Sequence, residues 1–226
     1  QTSPQVLENE YNRVTTRAVT AESQITSGLA GVTLATAFPT SNSLADQLKM
    51  VARLIGARST LGSKRQVFMV SLGGFDLHDN LISQQPTLMK RVSEAMTAFY
   101  DATVELGVAD KVTAFTASDF GRTLNSNGDG SDHGWGSHHF MVGGAVKGNA
   151  HYGKAPPVSN TNSTTDANDQ WHVGQGRLLP STSVDQYAGT LAKWFGVANS
   201  ELAGVLPKLS HFGGADYPTD LGFMTA

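Results

Sequence analysis

Residues 66–72, Gln-Val-Phe-Met-Val-Ser-Leu, are followed by two glycines, and they carry the main signal for the expected fold. A continuous apolar run that ends at glycine is typical of a buried parallel strand, because both faces of such a strand are covered. Two further short apolar runs, residues 111–117 and 139–143, come after a helical pattern at about residues 83–106. Strand, helix and strand at this spacing indicate βαβ units. We therefore expect an α/β fold with a mostly parallel sheet flanked by helices.

Other helices are marked by periodicity and by capping residues. Apolar side chains recur near the 3.6-residue period over about residues 4–24, which predicts a first helix. Ser43 is expected to cap a second helix, and Ser183 with Gln186 forms a capping box that opens a later one. That later helix should end at Gly196.

Length and composition narrow the class of protein. With 226 residues, 39% of them hydrophobic and 15% charged, the chain is expected to form a single globular α/β domain over residues 1–226. A net charge of −3 gives no reason to expect nucleic acid as a partner. No apolar run approaches the ~20 residues of a membrane-spanning helix. The absence of cysteine excludes disulfides and thiolate chemistry.

Aspartates and histidines cluster in two glycine-rich stretches that follow predicted strands. Asp76 and His78 lie in the first stretch, SLGGFDLHDN. The second, TASDFGRTLNSNGDGSDHGWGSHHF, contains the other candidate ligands, Asp119, Asp132, His133 and His138. Imidazole and carboxylate are ligands of divalent ions, so the pattern predicts a metal site. We expect zinc or manganese, with calcium as a further option.

The expected architecture gives these motifs a common position. Ligands of open α/β sheets bind beyond the carboxyl ends of the strands, and both stretches follow strands. Asp119 and Arg122, three residues apart, are candidate catalytic residues. With a metal holding one oxygen of an anionic substrate, the guanidinium of Arg122 could bind two others.

A structural interpretation of the same residues stays open. An aspartate two residues from a histidine commonly forms a hydrogen-bond network that braces a loop. Residues 125–130 resemble the first half of a calcium loop, but Gly136 falls where the closing glutamate should be. This segment is therefore interpreted as a turn.

Three segments carry a resemblance to a known family: GGFDLHDN, TASDFGRTLNSNGDGSDHGWGSHHFMVGGAVKG and LLPSTSVDQYAGTLAKWFGV. Together they resemble the C-terminal half of the DUF1501 family, bacterial proteins grouped with the alkaline phosphatase/sulfatase-like superfamily. The resemblance runs from about Leu48 to Met224. It implies an alkaline-phosphatase-like fold, and export through a twin-arginine-type signal to the periplasm or the cell exterior.

The superfamily likeness also implies roles for individual residues. Asp76 and His78 match the Asp and His that hold one metal in such enzymes. Asp119 keeps a second aspartate, but Phe120 stands where a histidine is expected, which departs from a two-metal site. A final histidine ligand would come from the Asp132–His133 pair or from His138. The superfamily's first strand and nucleophile would precede this chain, so the resemblance implies an N-terminal companion segment or self-association through an exposed apolar edge.

Three functions follow as hypotheses. The first is an exported metal-dependent hydrolase of phosphate or sulfate esters, acting on an anionic small molecule or a polysaccharide ester. The second is a non-catalytic exported binding or structural protein, in which the Asp/His cluster braces loops or holds a structural metal. The third is a metal-dependent enzyme with a different chemistry, for example on polysaccharide.

Overall fold

The computed structural model describes residues 4–158, 165 and 167–225. In that part of the chain the helices are α1 (Val6–Ala30), α2 (Ser43–Gly56), α3 (Leu81–Glu105), α4 (Val184–Phe195) and α5 (Leu202–Val205). The strands are β1 (Thr113–Phe115), β2 (Gly121–Ser126), β3 (Ser131–Gly134) and β4 (Met141–Gly143). Short 3₁₀ turns occupy Ala109–Lys111, Ala167–Trp171 and Pro207–His211.

The strands of the described residues form two small antiparallel sheets, so the predicted mostly parallel, alkaline-phosphatase-like sheet is wrong. β1 pairs with β4, with Thr113 opposite Gly143. β2 pairs with β3 as a hairpin, with Arg122 opposite His133. The chain enters and leaves this hairpin between β1 and β4 without a crossover helix. A reversal of this kind allows antiparallel pairing, whereas a parallel pair would need a crossover connection.

Residues 66–72 do not form the predicted buried strand. They are assigned to no strand, and the side chains of Val67 and Met69 are 81% and 95% exposed. The backbone of Ser71 instead contacts the side-chain amide of Gln47 on α2: Ser71 N donates to Gln47 Oε1 (3.0 Å), and Gln47 Nε2 donates to Ser71 O (2.9 Å). The apolar residues of this run favour a strand, but a strand in a sheet also needs a neighbouring strand with which it exchanges backbone hydrogen bonds.

The helix predictions are confirmed, with one correction at a cap. α2 begins at Ser43, but its N-cap is Asn42, whose side chain accepts from Ala45 N. α4 opens with the predicted capping box, in which Gln186 Oε1 accepts from Ser183 N (2.9 Å). It ends at Gly196, which adopts the left-handed conformation with φ 103°.

The chain divides into two compact units. One contains the chain up to Leu72 together with Glu94–Gly107, and the other contains Gly73–Ser93 and the chain from Val108 onward. In the first unit, α2 supplies a buried face, formed by Leu44, Ala45, Leu48, Val51, Ala52 and Ile55. In the second, one buried cluster comprises Ala145, Phe223 and Met224, with Tyr187, Leu191 and Trp194 of α4 packed against it. The expectation of a single domain stays a prediction.

No helix among the described residues is both long enough and apolar enough to cross a membrane.

Candidate metal centre

The loop that carries Asp76 and His78 lies directly on the β2–β3 hairpin, within the second unit. Ser131 N donates to Leu77 O (3.3 Å), and the Asn127 side chain donates to His78 O (3.1 Å). Gly130 makes this approach possible, because a Cβ there would lie 2.3 Å from His78 O. The first predicted motif is thus held against the second by backbone contacts.

One carboxylate oxygen is the centre of the site. Asp76 Oδ1 lies 2.7 Å from His133 Nε2, 2.8 Å from Arg122 Nη1 and 3.0 Å from His78 Nε2. Asp76, His78 and His133 each offer one ligand atom, and these three atoms lie within 4.8 Å of one another. About half of each side chain is exposed, so solvent and small molecules can reach the group.

The electrostatics of the group favour an ionised Asp76. The hydrogen bond from His133, followed by the one from Arg122, lowers the pKa of the Asp76 carboxyl from its ordinary value. Asp76 is therefore an anionic acceptor at neutral pH, the state in which a carboxylate binds a cation.

Both histidines are held by further contacts outside the group. His78 Nδ1 lies 3.3 Å from Asp132 Oδ1, and that oxygen also accepts from Asn127 Nδ2 (3.2 Å). The His133 ring stacks on Phe120, with ring centroids 3.9 Å apart and planes 4° apart. These contacts fix the direction in which each Nε2 points.

Most N–H groups of Arg122 donate hydrogen bonds to other residues of the protein. Its Nε donates to Ser131 Oγ (2.9 Å), Nη1 donates to Asp76, and Nη2 donates to the carbonyls of Leu77 (2.6 Å) and Ser131. The side chain is 21% exposed. A guanidinium has five N–H donors. Two of them bind the loop, at Asp76 and at the carbonyl of Leu77, two bind Ser131 within the hairpin, and one on Nη1 is left over.

Three of the six predicted metal ligands come together: Asp76, His78 and His133. Asp132 contacts His78 without joining the ligand group, while Asp119 and His138 lie outside the group that the described residues form. Their roles as ligands, and the catalytic roles of Asp119 and Arg122, stay predictions.

Sequence reasoning missed two residues of the site. Asn127 was interpreted as part of a turn, and Phe120 only as a departure from a histidine. The turn signal was correct, since Gly130 N donates to Asn127 Oδ1 (2.9 Å). The same asparagine also presents its Nδ2 to the facing loop, and sequence spacing carries no sign of that contact.

The Asp/His group lies between a loop and the β2–β3 hairpin, in a chain that combines helices with two small antiparallel sheets. The family comparison is more specific: the DUF1501 family, described as a protein of unknown function, matches residues 7–199. The chain belongs to this family, as the three quoted segments predicted. No curated protein and no solved structure matches the chain.

Proposed function

We propose that Asp76, His78 and His133 bind a divalent metal ion and that the protein is a metal-dependent hydrolase of phosphate or sulfate esters. The observation that carries the proposal is the convergence of one carboxylate oxygen and two imidazole nitrogens within 4.8 Å. Three protein ligands leave coordination positions open, as in catalytic rather than structural zinc sites.

The chemistry of the donors selects among the expected ions. Two imidazoles and one carboxylate suit zinc and also suit manganese. Calcium fits less well, because it takes six to eight oxygen ligands. In this proposal Asp132 orients His78 from outside the ligand group, an arrangement that recurs around metal-bound histidines.

The remaining residues position the ligands and the substrate. A bound ion of this type activates water and polarises an ester oxygen. Arg122 holds the Asp76 carboxylate in place, and its one remaining N–H can contact an anionic substrate. A bidentate contact with the substrate is not available to it, because the other N–H groups are already used. Asp119 is proposed as a further catalytic carboxylate near this hairpin.

Substrate and location are proposed from the superfamily likeness of the motifs alone. An anionic small molecule or a polysaccharide ester would be the substrate, and the protein would act in the periplasm or outside the cell. A companion segment, or a second copy of the chain, is proposed as a partner.

A non-catalytic binding or structural role is the second candidate, and one observation favours it. Asp76 Oδ1 already has three partners, His133, Arg122 and His78, which hold the loop on the hairpin without any ion. In that case the role of the cluster would be to hold the loop on the hairpin.

Metal content tests the proposed metal site. The purified protein is incubated with zinc or manganese, freed of unbound ion, and examined by elemental mass spectrometry. We expect about one equivalent of metal, lost in an Asp76→Ala/His78→Ala double variant. An Asp119→Ala/His138→Ala variant is the matched control and should retain it, because both residues lie outside the group. A folded wild-type protein without metal would refute the proposal.

Activity is measured on an aryl phosphate and an aryl sulfate. Hydrolysis that disappears with chelator and returns with the ion would support the hydrolase. Bound metal without hydrolysis of either ester would instead favour the non-catalytic candidate.

A further inference from the structure

The asparagine in the turn of the β2–β3 hairpin holds one ligand of the candidate metal centre. Both hydrogens of its amide are used, because Asn127 Nδ2 donates to His78 O (3.1 Å) and to Asp132 Oδ1 (3.2 Å). Asp132 Oδ1 in turn lies 3.3 Å from His78 Nδ1. Asn127 therefore holds His78 twice, directly at its main chain and through Asp132 at its ring.

Both contacts require an amide rather than a carboxylate at position 127. An amide nitrogen has two hydrogen-bond donors, whereas an ionised carboxylate only accepts. A carboxylate here would face two acceptors, the main-chain carbonyl of His78 and the side chain of Asp132. The two neighbouring negative charges would also repel each other. Exchange of the NH2 group for oxygen would therefore remove both links to His78.

The residue after Asn127 makes this exchange chemically accessible. It is Gly128, and Asn127 is the one asparagine of the 226 residues that precedes a glycine. Glycine has no side chain to block the approach of its main-chain nitrogen to a neighbouring group. Asn127 and Gly128 are both exposed, so water can reach them.

We propose that Asn127 is a site of spontaneous deamidation and that this reaction disables the candidate metal centre, a consequence that rests on the proposed function. Gly128 N gives its proton to solvent and attacks Asn127 Cγ. The new N–Cγ bond closes a five-membered imide, the Cγ–Nδ2 bond breaks, and Nδ2 takes a proton from solvent and leaves as ammonia. Water then opens the imide to aspartate or isoaspartate. In sum, the amide and one water become a carboxylate and ammonium.

The closed turn restrains the reacting atoms. Asn127 Oδ1 accepts from Gly130 N (2.9 Å), so the side-chain amide is held at its oxygen as well as at its nitrogen. The attacking nitrogen, Gly128 N, donates to Ser126 Oγ (3.0 Å). The imide can form only after these hydrogen bonds open. A bound ion that joins the loop to the hairpin would keep the turn closed, so metal should protect Asn127.

Deamidation is measured on the whole wild-type chain, kept in warm, mildly alkaline buffer with and without zinc. Peptide mass spectrometry with fragment ions separates conversion at Asn127 from conversion at Asn125, which precedes a serine in the same hairpin. We expect Asn127 to convert first, and more slowly when zinc is present. An Asn127 that stays intact as long as Asn125 would overturn the proposal. In a wild type that binds zinc, equal rates with and without the ion would refute the protection by metal.

The consequence for the site is tested with Asn127→Asp, which carries the aspartate product. Asn125→Asp is the matched control: it makes the same change of charge, but a Cβ at Gly176 would lie 3.0 Å from Asn125 Oδ1, which places this side chain at another loop. We expect the zinc affinity, measured by calorimetry, to fall at least tenfold for Asn127→Asp, as is typical when a residue that orients a metal ligand is lost. The control should keep the wild-type affinity. Equal affinities of the two variants would contradict the proposal.

A readout without metal separates this inference from the proposed function. Ser131 N donates to Leu77 O where the loop meets the hairpin, so its amide hydrogen exchanges with solvent when the loop detaches. We expect faster exchange at Ser131 in Asn127→Asp, and in deamidated wild type separated by ion exchange, than in Asn125→Asp. Unchanged exchange would overturn the inference even if the wild type binds zinc. Faster exchange in a protein that binds no zinc would refute the metal proposal and leave the release of the loop by deamidation supported.

Discussion

Replacement of Arg122 by methionine removes the guanidinium and keeps most of the apolar stem. Nη2 of Arg122 donates to the carbonyls of Leu77 and Ser131, and Nε donates to Ser131 Oγ. The carbonyl of Ser131 would lose a charged donor, which costs about 1–3 kcal/mol when the acceptor is left unsatisfied, whereas the carbonyl of Leu77 keeps its hydrogen bond from Ser131 N. Because the side chain is 21% exposed and water can replace part of the loss, we expect the free energy of unfolding to fall by about 1–3 kcal/mol. The contact with exposed Asp76 is left out of this magnitude.

Urea unfolding followed by tryptophan fluorescence measures this change in the relevant unit. All three tryptophans, at positions 135, 171 and 194, belong to the second unit, which also contains Arg122. Arg177→Met is the matched control: its Nε donates to a single site carbonyl, His133 O, and this hydrogen bond is exposed, so we expect a loss below about 1 kcal/mol. A loss for Arg122→Met no larger than that of the control would refute the conclusion that this guanidinium joins the loop to the hairpin.

Two further predictions concern the same loop and its carboxylate. Gly130→Ala places a Cβ 2.3 Å from His78 O and should therefore lower both the stability of the protein and its affinity for metal. Gly73→Ala is the control and should change neither, because a Cβ there meets open space. Calorimetric zinc titrations of both variants check the effect on affinity. Because the folded-state pKa of Asp76 is depressed, its contribution to stability is present above the ordinary value of 3.8 and is lost as the pH falls through the folded-state pKa. The stability difference between wild type and Asp76→Asn, measured by urea unfolding from pH 7 down to pH 2, should therefore shrink in acid, and a difference that is constant across that range would contradict this account.

Local features were predictable from the sequence because each depends on neighbours in the chain. The capping box of Ser183 and Gln186 and the terminating glycine at 196 are of this kind, and both are present. The cap of α2 moved by one residue to Asn42, which is an equally good capping residue. Helix periodicity likewise marked α3 to within about two residues at each end, whereas α1 continues to Ala30, beyond the predicted end near residue 24.

Sheet topology was not predictable from the same patterns, because strand pairing depends on residues distant in the chain. β1 was expected to lie beside a parallel neighbour but pairs with β4, across the hairpin formed by β2 and β3. The sequence nevertheless predicted that Asp76, His78 and His133 would lie together, although the fold on which this prediction rested is wrong. Both motifs follow apolar runs and glycine-rich turns, and it is the hairpin, with its glycine at 130, that brings them together.

The unpaired run at residues 66–72 affects how the protein behaves when it is concentrated. It contains six consecutive residues, Val-Phe-Met-Val-Ser-Leu, without charge or proline, and Val67 and Met69 are almost fully in solvent. Short segments with strong strand propensity and no charge are templates for cross-β aggregation when they are exposed. Lys64 and Arg65 stand immediately before the run, where flanking charges act as gatekeepers against such stacking. High salt screens these charges. The solubility of the chain is therefore expected to fall with ionic strength, and Met69→Lys is the substitution that would raise it.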